Sequence, residues 1–186
     1  VIGAGVNGRA VARTFVARGR DVMVWDVDAG RAEQTAQEVG GRVARSRDEA
    51  LGADLVVTVT PGHAVVFGPG SLRPGQHASL MGADGPGKSE IAVEELARVR
   101  IVCDDWEQAS HHNGDLAHAV AAAAITEDDA TQLGDVLAGT APGRQSHDDI
   151  SVFDSTGLAI QDLGIATAVL EAWHEGRVPA SGEADL

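Results

Sequence analysis

Val1-Ile2-Gly3-Ala4-Gly5-Val6-Asn7-Gly8 opens the chain, and its reading decides the fold. Two apolar residues run straight into glycines spaced G-x-G-x-x-G. Arg9–Arg18 then reads as a helix, and Asp21–Trp25 reads as a strand that ends on Asp26. Strand, glycine turn, helix, strand, acid is the order of a dinucleotide-binding βαβ unit. Gly3 allows the tight turn, Gly5 lets the backbone approach a pyrophosphate, and Gly8 lets the helix pack close to the strand. Val6 and Asn7 lie in the turn, where the phosphates meet the partly positive helix N-terminus.

Asp26 selects the dinucleotide. A carboxylate at the end of the second strand accepts hydrogen bonds from the adenosine ribose hydroxyls and repels a 2′-phosphate. Val27, Asp28 and Ala29 follow, and no basic group comes before Arg31. The expected cofactor is therefore NAD rather than NADP. A solvated strand end or a helix cap is the alternative reading of Asp26, and the upstream glycines disfavour it.

Outward from this unit the pattern keeps alternating. Helices are expected at Arg31–Val39, ended by Gly40-Gly41, and at Arg47–Leu51, capped by Ser46. Strands are expected at Arg42–Ala44, Leu55–Val59, His77–Met81 and Arg100–Cys103, with a helix at Glu90–Arg98. Apolar strands separated by amphipathic helices imply a doubly wound α/β fold, Rossmann-like, with a mostly parallel sheet and helices on both faces. Beyond Cys103 the spacing predicts helix over Trp106–Ala124 with a break near Asn113-Gly114, and a short helix at Gln132–Leu137. A polar loop at Thr140–Asp149, a strand at Ile150–Phe153 and a long helix at Leu158–His174 follow. Leu158, Leu163, Ala166, Val169 and Leu170 are expected on one side of that helix. The division expected is residues 1–157 as the dinucleotide domain, 158–174 as a C-terminal helix, and 175–186 as an unstructured tail.

The net charge of −14 argues against nucleic acid or an anionic membrane as partner, and no apolar run approaches the length of a membrane span. Aromatic residues make up only 3% of the chain and interleave with no basic patch, which again disfavours nucleic acid. A single cysteine, Cys103, forms no internal disulfide and fits a cytoplasmic setting. His111 and His112 are adjacent, so on a helix they point about 100° apart and make no two-ligand face. No metal site is expected. The chain lacks an initiator Met and begins inside a strand, so it is expected to be a piece of a longer protein.

Three further stretches resemble one family, the ornithine cyclodeaminase/mu-crystallin family. They are Val57-Thr58-Val59-Thr60-Pro61, then Met81-Gly82-Ala83-Asp84-Gly85-Pro86-Gly87-Lys88-Ser89-Glu90, then Phe153-Asp154-Ser155-Thr156-Gly157-Leu158-Ala159-Ile160-Gln161-Asp162. The resemblance implies a homodimeric enzyme whose N-terminal substrate and dimerisation domain precedes a Rossmann domain. This chain resembles the Rossmann half with the returning helix, which would pack on the absent domain. It also implies that Asp84 is the general base, acting on a small amino-acid or imine substrate. The reaction implied is conversion of ornithine to proline and ammonia with NAD recycled. Alanine-type dehydrogenase, ketimine reductase and a non-catalytic binder of cofactor and small ligand are the alternatives.

The residues themselves leave more than one role open. Asp84 lies just past a strand's carboxyl end, where ligands bind in parallel sheets, but Asp-Gly-Pro-Gly is also a ready-made turn. Thr58, Thr60 and Pro61 either line the cofactor or simply end a strand. Ser155, Thr156 and Gly157 either offer N–H groups to a ligand or belong to a cap formed by Asp154 or Ser155. Lys88 either reaches a phosphate or the substrate site or, the favoured reading, is a solvated helix-start lysine, and Ser89-Glu90 reads as an ordinary helix start.

Overall fold

Ile2 sits at the centre of the sheet. In the computed structural model, which describes residues 1–178, Ile2 makes parallel bridges to Trp25 on one side and Thr58 on the other. It thereby joins a two-stranded piece, β1 (Met23–Val24) with β2 (Arg42–Val43), to a five-stranded one. The latter contains β3 (Leu55–Thr58), β4 (His77–Leu80), β5 (Arg100–Cys103), β6 (Ala130–Gln132) and β7 (Ser151–Asp154), in the order β3-β4-β7-β5-β6. Every pairing is parallel. Strand order runs outward in both directions from Ile2, which makes its carboxyl end the switch point where such sheets hold ligands.

The helices between the strands are α1 (Val6–Ala17), α2 (Ala29–Val39), α3 (Arg47–Leu51), α4 (Val93–Leu96), α5 (Trp106–His111), α6 (Asp115–Ala121) and α7 (Leu133–Ala138), and α8 (Ala159–His174) follows the last strand. Local chemistry sets several ends. Asp28 caps α2 and Ser46 caps α3, each accepting the backbone N–H three residues later, and Gly40 closes α2 in the left-handed conformation. Alternation along β1 divides the core. Val24 joins Ala4, Ala12, Ala32, Ala36 and Val39 under α1 and α2, whereas Met23 and Trp25 pack against a larger cluster with Val56, Ala78, Leu80, Ile101 and Val152. Successive strand residues face opposite ways, so helices cover both faces. Coverage is uneven: His77, Ser79, Arg100, Val102 and Phe153 share a face that is only half-buried.

Several expectations need correction. The helix expected over Glu90–Arg98 is one turn, because Ile91 bridges to Phe67 and the Ala92 N–H donates to the Phe67 carbonyl. Strand β6 was unforeseen; its three residues, Ala-Thr-Gln, are too short and too polar to announce a strand. The break between α5 and α6 falls at His112–Gly114, as expected.

The described residues divide into two compact units, Val1–Thr156 and a second beginning at Gly157. The second unit contains α8, whose N-cap, Leu158, offers no side-chain bond. Ile160, Ile165 and Leu170 are all exposed and point in well-separated directions at roughly 100° per residue, so α8 is not apolar along one side only. Residues 175–178 form a turn after α8, and residues 179–186 of the expected tail lie outside the described residues.

Candidate functional site

A cleft of about 410 Å³ lies over the carboxyl ends of the central strands. Its wall is made by the glycine turn, by Trp25 to Val27, by Val59 to Pro61 and by the segment from Met81 to Lys88. A larger recess, about 620 Å³, opens at the opposite end of the same strands, around Val1, Phe15, Val22 and Leu55, and carries none of the candidate site residues. The smaller cleft is the candidate site because the chemistry converges there.

The glycine turn is shaped by contact. Gly3 has φ +98°, and a Cβ there would overlap the Val59 carbonyl. At Gly8 a Cβ would overlap the Gly3 carbonyl, while at Gly5 it would meet nothing within 4 Å. Gly3 and Gly8 are thus required by packing, and Gly5 leaves open space. Among the described residues no side chain caps α1, and its first turn holds no acidic residue. An uncapped helix N-terminus beside an open glycine fits the diphosphate of a dinucleotide.

Asp26 ties two turns together. Its Oδ2 accepts the Ala4 N–H at 2.7 Å and its Oδ1 accepts the Asp28 N–H at 2.9 Å. The side chain is only 7% exposed, and Arg31 Nη1 approaches its Oδ2 to 3.9 Å. Each carboxylate oxygen retains a lone pair for a sugar hydroxyl.

Thr60 and Pro61 line the cleft, but Thr58 does not. Thr58 is fully buried, with its hydroxyl donating to Glu90 Oε2 at 2.6 Å. Glu90 is the unforeseen organiser of this end of the sheet. It also accepts the Thr60 hydroxyl at 2.6 Å, the Thr60 N–H at 3.1 Å and the Gly82 N–H at 2.8 Å. It is no ordinary helix start: it staples the ends of β3 and β4 together, and so sets where Thr60 and the Asp84 loop stand.

Asp84 reaches the cleft as expected from its position past β4. Its carboxylate is 63% exposed and pairs with Lys88 Nζ at 2.6 Å. Lys88 is therefore no free surface lysine; its side chain is 28% exposed, and its carbonyl is bonded by His118 Nε2 at 2.9 Å.

A second acidic layer supports the loop from below. Buried Asp115 accepts the Ser89 hydroxyl and the Glu90 and Ile91 N–H groups on Oδ1, while Oδ2 has no partner among the described residues. Burial pushes its carboxyl up to about 6. Asp154, buried beside it, accepts the Leu116 N–H at 3.1 Å and is pushed well above the usual carboxylate range by burial and then by the Asp115 charge. Neither Asp154 nor Ser155 caps α8. The Ser155 N–H bonds the Leu80 carbonyl, and the Thr156 N–H bonds Asp104 Oδ2 at 2.8 Å, so these two donors are already engaged rather than free for a ligand. Gly157, with φ +81°, opens the second unit. Burial, then Asp104, pushes the Cys103 thiol up to about 12, which leaves no reactive thiolate. Among the described residues no cluster of His, Cys, Asp or Glu is arranged to hold a metal, and no helix is long and apolar enough to cross a membrane.

A wholly parallel doubly wound sheet with a glycine turn, an uncapped helix and an acid at the switch point defines a dinucleotide-binding Rossmann-type domain. The chain belongs to the ornithine cyclodeaminase/mu-crystallin family, whose model matches residues 1–177. It is 38% identical over 177 residues to a putative dehydrogenase of Rhizobium meliloti, covering 90% of this chain and 54% of that protein. It is 45% identical over 125 residues to the alanine dehydrogenase of Archaeoglobus fulgidus, covering 67% of this chain and 38% of that one. Among solved structures, the iminosuccinate reductase of Paracoccus denitrificans in complex with NAD+ superposes with a TM-score of 0.83 at 33% identity, over 94% of this chain and 56% of its own. The chain thus spans about half the length of the relatives it matches.

Proposed function

We propose that this chain is the NAD-binding part of an enzyme that oxidises or reduces the carbon–nitrogen bond of a small amino acid or imine. One observation carries the reading: the cleft that holds the open glycine turn and Asp26 at one end holds Asp84 at the other. NAD, when bound, supplies the hydride acceptor or donor. The residues of the chain do the rest. The N-terminus of α1 holds the diphosphate, Asp26 holds the sugar hydroxyls, and Glu90 fixes the strand ends on which the reactive end rests. Asp84 takes or returns a proton at the substrate nitrogen. In the free protein it pairs with Lys88, so a substrate ammonium must share or displace that partner, and its exposure makes it reachable.

Likeness to an alanine dehydrogenase and an iminosuccinate reductase favours net oxidoreduction. Ornithine cyclisation is the second reading, favoured by membership of a family named for that activity. The whole enzyme is proposed to be a homodimer, with its carboxylate-holding residues outside this chain.

The test uses the full-length protein with NAD+ and alanine, or with NAD+ and ornithine. Net NADH from alanine supports the dehydrogenase. Proline and ammonia without net NADH support the cyclodeaminase, and dinucleotide binding without turnover of any amino acid supports a binder. Asp84→Asn should lower kcat by at least about a hundredfold while sparing NAD affinity; retained turnover would remove Asp84 as the proton carrier.

A further inference from the structure

Asp26 is not the only carboxylate at the sugar end of the cleft. Asp28 caps the eleven-residue helix α2, its Oδ1 accepting the Arg31 N–H at 3.1 Å. The Asp28 N–H in turn donates to Asp26 Oδ1 at 2.9 Å. Arg31 is shared between the two acids: Nη2 lies 3.7 Å from Asp28 Oδ2, and Nη1 lies 3.9 Å from Asp26 Oδ2. The Arg31 side chain also lines the cleft and is 52% exposed. A phosphate on the adenosine 2′-oxygen seeks a guanidinium and the N–H groups at a helix start. Both are present beside Asp26, and both are already engaged by carboxylates of the chain itself.

We infer that Asp28 is a second specificity-determining residue, which excludes NADP by keeping Arg31 and the start of α2 engaged. The inference rests on the reading that this cleft takes NAD. Asp26 acts by repelling the extra phosphate. Asp26 alone would discriminate weakly, because a released Arg31 stands close enough to offset its charge. Asp28 withholds that cation. Both Asp28 and Arg31 are half exposed, so solvent screens the pair and the effect is moderate rather than absolute.

The decisive variant is Asp28→Asn in the full-length protein. Asparagine caps helices as well as aspartate does, so α2 is retained while the charge and the ion pair go. Asp28→Ser, another cap, serves as the second variant. NAD+ and NADP+ are each titrated by calorimetry against parent, Asp28→Asn, Asp28→Ser and Asp28→Asn/Arg31→Ala. Both single variants should bind NADP+ about tenfold more tightly than the parent, with NAD+ affinity changed less than about twofold; the double variant should lose most of that gain. Unchanged NADP+ affinity in both single variants overturns the inference, as does a gain that survives the removal of Arg31. A parent that binds neither dinucleotide overturns the cofactor reading itself, and the inference with it.

Discussion

Replacing Glu90 by glutamine should damage the protein more than its conservative chemistry suggests. The Glu90 side chain has no exposed area, and it receives four donors. They fall into two pairs: Oε1 takes the Thr60 N–H and hydroxyl, and Oε2 takes the Gly82 N–H and the Thr58 hydroxyl. Each oxygen therefore faces one backbone N–H, which cannot turn away. A glutamine has one accepting oxygen and one donating NH₂, so either orientation sets a donor against a buried backbone donor. One hydrogen bond to a charged group is lost, worth about 1.5–3 kcal/mol, and one buried N–H is left unsatisfied, costing about 1–3 kcal/mol. Relaxation recovers part of this, and about 3 kcal/mol is the expected loss. For a domain of this size that lowers the melting temperature by roughly 6–12 °C. Urea unfolding of parent and Glu90→Gln measures it, and NAD titration of the same samples should show weakened binding, because Thr60 and the Asp84 loop lose their common anchor. A variant within about 1 kcal/mol of the parent would refute the view that Glu90 fastens β3 to β4.

Three further outcomes are expected. Asp115 titrates at about 6 in the folded protein against a usual 3.8, so the folded state keeps a proton that the unfolded chain releases between those values. The stability that Asp115 contributes should therefore fall as pH rises through that window, by a total of about 3 kcal/mol. Asp115→Asn keeps the single accepting oxygen that its three donors use and lacks the charge; urea unfolding should find it more stable than the parent by about 1–3 kcal/mol at pH 7.5, with the difference vanishing near pH 4, and no gain at pH 7.5 refutes the assignment. Asp26→Ala should weaken NAD binding at least about tenfold by calorimetry, equivalent to roughly 1.4 kcal/mol, and unchanged affinity would remove its role at the sugar. Gly8→Ala sets a Cβ against the Gly3 carbonyl, so α1 must shift; dinucleotide affinity should be lost while the circular dichroism of the helices remains, and normal affinity would show that the turn tolerates the displacement.

Much of the frame was legible because its signals are local. The glycine spacing, the cap at Ser46, the terminator at Gly40 and the break before α6 are each written within a few residues. Asp26 and Asp84 were legible for a different reason: each lies just past a recognisable strand, and strand ends in parallel sheets face the ligand crevice. Glu90 and Asp115 were not legible. Each stands where a helix start is expected, and nothing nearby shows that all but one of their donors come from residues 24 to 32 positions away. Lys88 misled for the same reason: a lysine after Pro-Gly looks solvated until the loop folds it back on Asp84.

By itself the sequence determined that this protein builds a parallel α/β sheet with a dinucleotide turn at its centre. Periodicity and turn chemistry act within a few residues of chain, and that range suffices to specify strands, helices and the glycine loop. Tertiary structure alone decided that β7 slots between β4 and β5, that Thr58 faces the interior, and that two buried acids, Glu90 and Asp115, carry the loop bearing Asp84. Strand neighbours and buried polar partners are chosen when distant segments meet away from water. There every N–H needs an acceptor, and that demand is satisfied across the fold rather than along the chain.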